Sequence, residues 1–345
     1  MSAGRLPRRN DRQRGVAVIT ALLLTTLAVT IVASLFWQQQ VQVRSIENQR
    51  TQLQKQWILR GALDWSRLIL RSDTNQVDYL GDPWAIPLEE VRLDEFVENG
   101  KQDAEASSAM LSGYIVDAQS RLNVNALVRS GGALSPVDVV AFAKLLNNLR
   151  IPSANSLTNA TVSYLLTARR AQTAVVPTSG STTTTPGSTT TTTSGANAAS
   201  GQSSSGPHMM PLTQLDDLLA IPGFTEEILL KLKDFVIVLP FSDSKINVNT
   251  ASAEVLSAVI PGLGLSDAAT LVASRERAYF KDAADFSNRL PATNAARATS
   301  AVPLDVKTEY FLVNGKVKLN NAVLEIQSLV QRRGTVVTVL WTRET

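Results

Sequence analysis

Few residues in this sequence are of a type and spacing that could do chemistry. None of the 345 residues is a cysteine, so no thiol nucleophile, thiolate metal site or disulfide is available. The single histidine, His208, follows a tract of Thr, Ser and Gly and cannot be held within the hydrogen-bond reach a general base needs. Asp216-Asp217 and Glu226-Glu227 fall in helical pattern, where adjacent side chains point in different directions, so neither is an acid/base pair. They read as a solvated face and as helix-start charges. No phosphate-cradling loop of the P-loop type occurs. These absences exclude the common enzyme classes.

Two weaker chemistries remain. Helical patterns at 212–219 and 225–236 flank Ile221-Pro222-Gly223-Phe224, and those at 251–260 and 265–277 flank Pro261-Gly262-Leu263-Gly264, a weak internal repeat. Residues 246–280 resemble a helix-hairpin-helix unit of DNA-uptake receptors, whose glycine turn presents backbone N–H groups to phosphate beside a Lys or Arg. Here Ser266 and Asp267 follow one turn and Glu226 and Glu227 the other. Acidic mouths repel phosphate, so no nucleic acid is expected and a membrane-anchored DNA-binding or uptake protein is the rival reading. Calcium is the one ligand left open. Oxygen-rich loops at 73–82 and 242–249 could offer the roughly six to eight oxygens it takes, but neither has EF-hand spacing, and the metal residues stay unknown.

The elements that would carry any of these begin with residues 16–37. This run holds no charged side chain and is long enough, at about 1.5 Å per residue, to cross about 30 Å of hydrocarbon. A secretory signal places its cleavage site after the apolar core, whereas here the abrupt junction, Arg14-Gly15-Val16, precedes it. Cleavage there, as in a prepilin-type signal, would keep the apolar helix; an uncleaved anchor is the other reading. Arg5, Arg8, Arg9, Arg12 and Arg14 against Asp11 hold the N-terminus in the cytoplasm under either, with Gln38 onward outside. The formal charge is +3; the leader supplies four positive charges net, leaving −1 for the rest, so the basicity is the leader's.

Residues 38–72 continue as an amphipathic stalk, with Ile46, Leu53, Trp57, Ile58, Ala62, Trp65 and Ile69 mostly three, four or seven apart. Gly61 within it costs roughly 1 kcal/mol relative to alanine and is expected where the helix packs closely on a flat surface. Residues 72–87 read as a loop with Trp84 as an anchor, and 110–124 as a hairpin turning near Gln119-Ser120. Helices follow from Pro136 and over 157–170, then a Thr/Ser/Gly-rich stretch at 178–206 that cannot bury enough apolar surface to order. A last helix covers 282–290. Runs at 310–317, 322–330 and 336–341 return to strands, with turns at Asn320-Asn321 and Arg332-Arg333-Gly334 and a competing hairpin signal at Asn314-Gly315.

Five pieces occur in order around the helical block: Arg14-Gly15-Val16-Ala17-Val18-Ile19-Thr20, Asp82-Pro83-Trp84-Ala85, residues 117–125, Ile246-Asn247-Val248-Asn249-Thr250-Ala251, and Tyr310-Phe311. Together they resemble the K-class minor pseudopilin of the type II secretion system over nearly the whole chain. The resemblance implies an α+β fold: a pilin-like long N-terminal helix packed on a small antiparallel sheet, with a large inserted all-α domain of helix-hairpin-helix or SAM-like units. Its divisions are a leader (1–15), a transmembrane helix (16–37), a stalk (38–72), a first head segment (73–125), the insertion (126–300) and C-terminal strands (301–345).

The resemblance further implies cleavage after Gly15 by the prepilin peptidase and methylation of Val16. The protein would be a non-enzymatic subunit at the tip of the pseudopilus, capping it and helping to initiate assembly for export across the outer membrane. It would stand in the bacterial inner membrane with its head in the periplasm. Expected partners are the I-class and J-class minor pseudopilins through the stripe from Ile46 to Ile69, then the H-class minor and G-class major pseudopilins. No cofactor is required, with calcium as the ion pseudopilin heads take. Most pilin-like subunits carry glutamate at the fifth mature position, paired with the amine of the subunit above. That position is Thr20 here, as expected of a subunit with nothing above it.

Overall fold

The computed structural model describes residues 13–93, 109–174, 209–240, 243–291, 302–319 and 322–344. Most of the leader, the Thr/Ser-rich tract, His208 and the Asn320-Asn321 turn lie outside them.

Helix α1, Gln13–Ser72, runs 60 residues without interruption. No proline falls within it, and its two glycines are far apart. Every side chain from 17 to 50 is exposed. Among the described residues, α1 is the one helix long and apolar enough to cross a membrane.

The chain divides into two compact units. One comprises Met1–Ala62, Val91–Leu111 and Lys316–Leu324; the other comprises Leu63–Glu90, Ser112–Gly315 and Glu325–Thr345. A five-stranded sheet has the order β1 (Leu88–Arg92), β2 (Ala109–Asp117), β7 (Tyr310–Leu319), β8 (Ala322–Arg333) and β9 (Val336–Glu344). Strands β8 and β9 pair antiparallel around Gly334, whose φ of +60° suits a residue without a Cβ. Within the second unit, Leu63, Ile69 and Leu70 at the end of α1 pack with Trp84, Phe311, Val313, Val330 and Val337. The chain is thus α+β, with its long helix ending on a small sheet.

The chain leaves this sheet after β2 and returns to the neighbouring strand β7. Between them lie α2 (Pro136–Asn148), α3 (Ala154–Ala174), α4 (Glu226–Leu232), α5 (Ala253–Val259), α6 (Leu265–Arg277) and α7 (Ala283–Arg289). Local signals start several of them. Pro136 sits in the first turn of α2, while Thr225, Ser252 and Asp282 accept hydrogen bonds from the backbones of Ile228, Val255 and Asp285. Their apolar faces share one core that includes Phe142, Leu145, Leu157, Leu232, Leu256, Phe280 and Phe286.

The hairpin expected at 110–124 does not form. After β2 the chain makes a short 3-10 turn at Ala118–Ser120, and β3 (Leu122–Asn123) pairs in parallel with β4 (Val236–Ile237). A second two-residue ribbon pairs β5 (Ile246–Asn247) in parallel with β6 (Leu304–Asp305). The turn at 118–120 is drawn away from β2 because the Asp117 side chain accepts the Gln119 N–H, a local turn that competes with the hairpin ladder. The helix expected at 212–219 is instead a 3-10 turn, Leu215–Ala220, and the hairpin signal at Asn314-Gly315 lies inside β7.

Candidate functional site

Gly15 and Val16, where the resemblance places a cleavage junction, lie in the first turns of α1. Thr20 donates its hydroxyl to the Ala17 carbonyl at 3.0 Å, and Thr25, Thr26 and Thr30 do the same toward residues three earlier. Each hydroxyl is therefore satisfied by its own helix, so Thr20 adds neither charge nor an orphan donor to an apolar segment.

The seven stalk residues form two rows. Ile46, Leu53 and Trp57 share one face at spacings of seven and four, while Ile58, Ala62, Trp65 and Ile69 lie roughly 130° round the helix, so the expected single stripe is split in two. Ile46, Leu53, Trp57 and Trp65 are exposed, Trp57 by 67%. The Arg60 guanidinium stands 5.4 Å from the Trp57 ring centroid. Ile69 behaves differently, packing into the core of its own head. A Cβ built on Gly61 would meet nothing within 4 Å. Among the described residues, none supplies the close packing expected of that glycine.

The densest polar construction is where the insertion departs and returns. Asp117 ends β2 and is wholly buried. One carboxylate oxygen accepts from Gln119 N at 2.7 Å; the other accepts from Asn247 Nδ2 at 2.9 Å, Thr308 Oγ1 at 2.6 Å and Thr250 Oγ1 at 2.5 Å. Burial pushes its pKa up while these donors pull it down. Asn247 also donates to Asp78 O at 3.1 Å, and its own oxygen accepts from Asn249 N at 2.9 Å. Gln119 bridges Lys245 O at 2.8 Å and Glu309 N at 2.6 Å. Asp78 takes Thr308 N at 2.7 Å and pairs with the buried Arg332. Burial is the largest influence on Asp78 and raises its pKa to about 6.

Asp82-Pro83-Trp84 completes this corner. Asp82 Oδ2 accepts from Tyr79 N at 2.9 Å and Trp84 Nε1 at 3.2 Å, and the Trp84 ring meets Phe311 edge-on at 5.2 Å. Sequence reasoning flagged Asp82, Trp84, Asp117 and Asn247 within motifs and held Asp78 only as part of the oxygen-rich loop at 73–82, but read Arg332 as a turn residue and gave Thr308 no role. The one available signal for Arg332 was a positive charge at the end of a β-rich run.

Both glycine turns have left-handed glycines, Gly223 at φ +101° and Gly262 at φ +81°. The basic groups around the second turn face inward. Lys144 donates to the carbonyls of Ser257 and Leu263, the latter at 2.9 Å, and burial lowers its pKa. Arg275 donates to Val248 O at 2.7 Å and Ala251 O at 2.5 Å, with burial lowering its pKa to about 10. Asp267, Glu226 and Glu227 are exposed at the mouths. These turns tie helices together, and the geometry does not favour a phosphate site.

One member of the carboxylate pairs, Asp217, has an equally structural role. Asp217 Oδ2 accepts from Thr213 N, Thr213 Oγ1 and Gln214 N, closing a capping box. In the 242–249 loop, Asn249 is bound on both sides by Phe280, and Lys245 pairs with Asp305 at 2.7 Å.

Comparison with known proteins agrees with this architecture. Two family models, both described as type II secretion system protein K, match residues 120–241 and 246–307, together more than half of the chain. A Pseudomonas aeruginosa protein named type II secretion system protein K is 28% identical over 330 residues, covering 93% of this chain and 89% of its own length. A Klebsiella pneumoniae protein of the same name is 24% identical, with 94% of each chain covered. Among solved structures, a chain from the GspK-GspI-GspJ complex of enterotoxigenic Escherichia coli superposes with a TM-score of 0.56 at 18% identity, covering 87% of this chain and 98% of that one. On these grounds the chain belongs to the type II secretion system protein K family.

Proposed function

We propose that this chain is the minor pseudopilin at the tip of a type II secretion pseudopilus, where it caps the fibre and helps to initiate it. The observation that carries this is an exposed apolar helix face, Ile46, Leu53 and Trp57, on a chain whose fold relative was solved together with two further subunits. Isolated apolar residues at a surface are ordinary, but a row of them continuing a charge-free span calls for neighbouring helices. In this reading α1 crosses the inner membrane with the head in the periplasm. The prepilin peptidase cleaves after Gly15, Val16 becomes the methylated amino terminus, and Thr20 marks the terminal position. The I-class and J-class pseudopilins pack against the stalk, and H-class and G-class subunits continue the fibre below. The chain acts by assembly, without catalysis or a required cofactor.

Co-expression with I-class and J-class subunits tests the proposal. Charged replacements at Trp57 and Ile58 are expected to abolish co-purification. Because Trp57 stands on one row and Ile58 on the other, undiminished recovery of both partners would refute the role of the stalk's apolar rows.

A further inference from the structure

We infer that Arg332 is the resident cation of the Asp73, Asp78 and Asp82 cluster, so that this corner of the head is closed by a side chain and takes no divalent ion. The three aspartates bring carboxylate oxygens within 4.8 Å of one another, a spacing calcium could use. Their lone pairs, however, already face donors. Asp73 Oδ2 accepts from Arg332 Nη1 at 2.9 Å and Oδ1 from Asn75 N at 3.2 Å. Asp78 takes Arg332 Nη2 on one oxygen and Thr308 N on the other. Asp82 is met by Tyr79 N and Trp84 Nε1 on Oδ2 and by Asn75 Nδ2 at 3.4 Å on Oδ1. An arriving cation would confront N–H hydrogens and a guanidinium in place of free oxygens.

The arginine is held as firmly as its partners. It is 4% exposed, its Nη2 also donates to Thr308 O at 3.1 Å, and its guanidinium lies 4.8 Å from the Phe311 ring centroid. A planar fork suits two carboxylates and an aromatic face at once, which a spherical ion cannot do. Displacing it by calcium would leave a buried guanidinium without its counter-charges, which is strongly unfavourable.

The test compares melting of the full-length protein in detergent with chelator and with about 5 mM calcium, above the ~1 mM dissociation constants of weak extracellular sites. The calcium-dependent shift is expected to be equal in the wild type and in Asp73→Asn, which weakens the cluster as a ligand set. Arg332→Gln removes the cation and is expected to gain about 3 °C with calcium. If R332Q does not accumulate, Arg332→Lys keeps the charge without the fork and is expected to melt lower while staying indifferent to calcium. A calcium-dependent shift in the wild type that D73N loses would overturn the inference. So would a folded R332Q that calcium does not stabilise, or an R332K that calcium does.

Discussion

Thr308 donates its hydroxyl to Asp117 at 2.6 Å, and these residues, 191 positions apart, are the two ends of the excursion that carries the helical block out of the sheet. A carboxylate buried this completely is tolerated only with several donors, and the structure supplies them from Gln119, Asn247, Thr250 and Thr308. Replacing Asp117 with alanine removes the acceptor that these four donors share. The expected loss is about 3–5 kcal/mol, the upper range for one substitution, read from the urea midpoint of the full-length protein in detergent. A loss under about 1 kcal/mol would show that the neck is held elsewhere.

Asp78 predicts a pH dependence. Its pKa in the folded chain is raised to about 6, chiefly by burial, against about 3.9 for an unfolded aspartate. The folded state therefore binds the proton more readily. The associated stabilisation is full below about pH 4 and disappears as pH rises through about 6. Asp78→Asn lowers stability at every pH, because its amide has a single acceptor oxygen and cannot accept from both Thr308 N and Arg332 Nη2 as the two carboxylate oxygens do. The informative quantity is the slope: between pH 7 and pH 5 the wild type is expected to gain stability relative to D78N. Parallel curves would mean that Arg332 keeps Asp78 ionised throughout.

Legibility in the sequence followed the range of the interactions. Helix α6 has the bounds its spacing predicts, residues 265–277, since apolar periodicity and the preceding glycine turn are local features. The neck had no local pattern to betray it. Arg332 finds Asp73 and Asp78 at separations of 259 and 254 residues, and a charge in a β-rich run looks like a turn until its partners are known. Strands β3 and β4 are two residues each, too short to show an alternation, so their pairing hid inside an expected hairpin and an expected helix. The apolar repeat of the stalk was readable as spacing, though as one stripe where the helix makes two rows. That Ile69 belongs to the head core was not, because the helix looks the same on either side of the point where the head covers it.

Gly61 separates the needs of the isolated chain from those of its assembly. With nothing within 4 Å of an added Cβ, Gly61→Ala is expected to stabilise the lone protein by about 0.5–1 kcal/mol through helix propensity. If a partner helix approaches closely there, Gly61→Phe is expected to leave folding intact and to reduce co-purification with I-class and J-class subunits severalfold. Full recovery of partners with G61F would place the helix contact elsewhere on the stalk.

The N-terminus offers the sharpest check on the proposed class. The charge-free run starts at Val16, and Thr20 satisfies its hydroxyl on Ala17 O, so the segment can lie in hydrocarbon with no charge at position 20 to neutralise. A glutamate there would cost at least about 2.5 kcal/mol unless an amine from another subunit met it. N-terminal sequencing of membrane-extracted protein is expected to begin at N-methylated Val16, and Thr20→Glu is expected to lower the amount recovered in the tip complex. An intact leader ahead of Gly15 would mean an ordinary anchor, and Thr20 would then carry no information about position in a fibre.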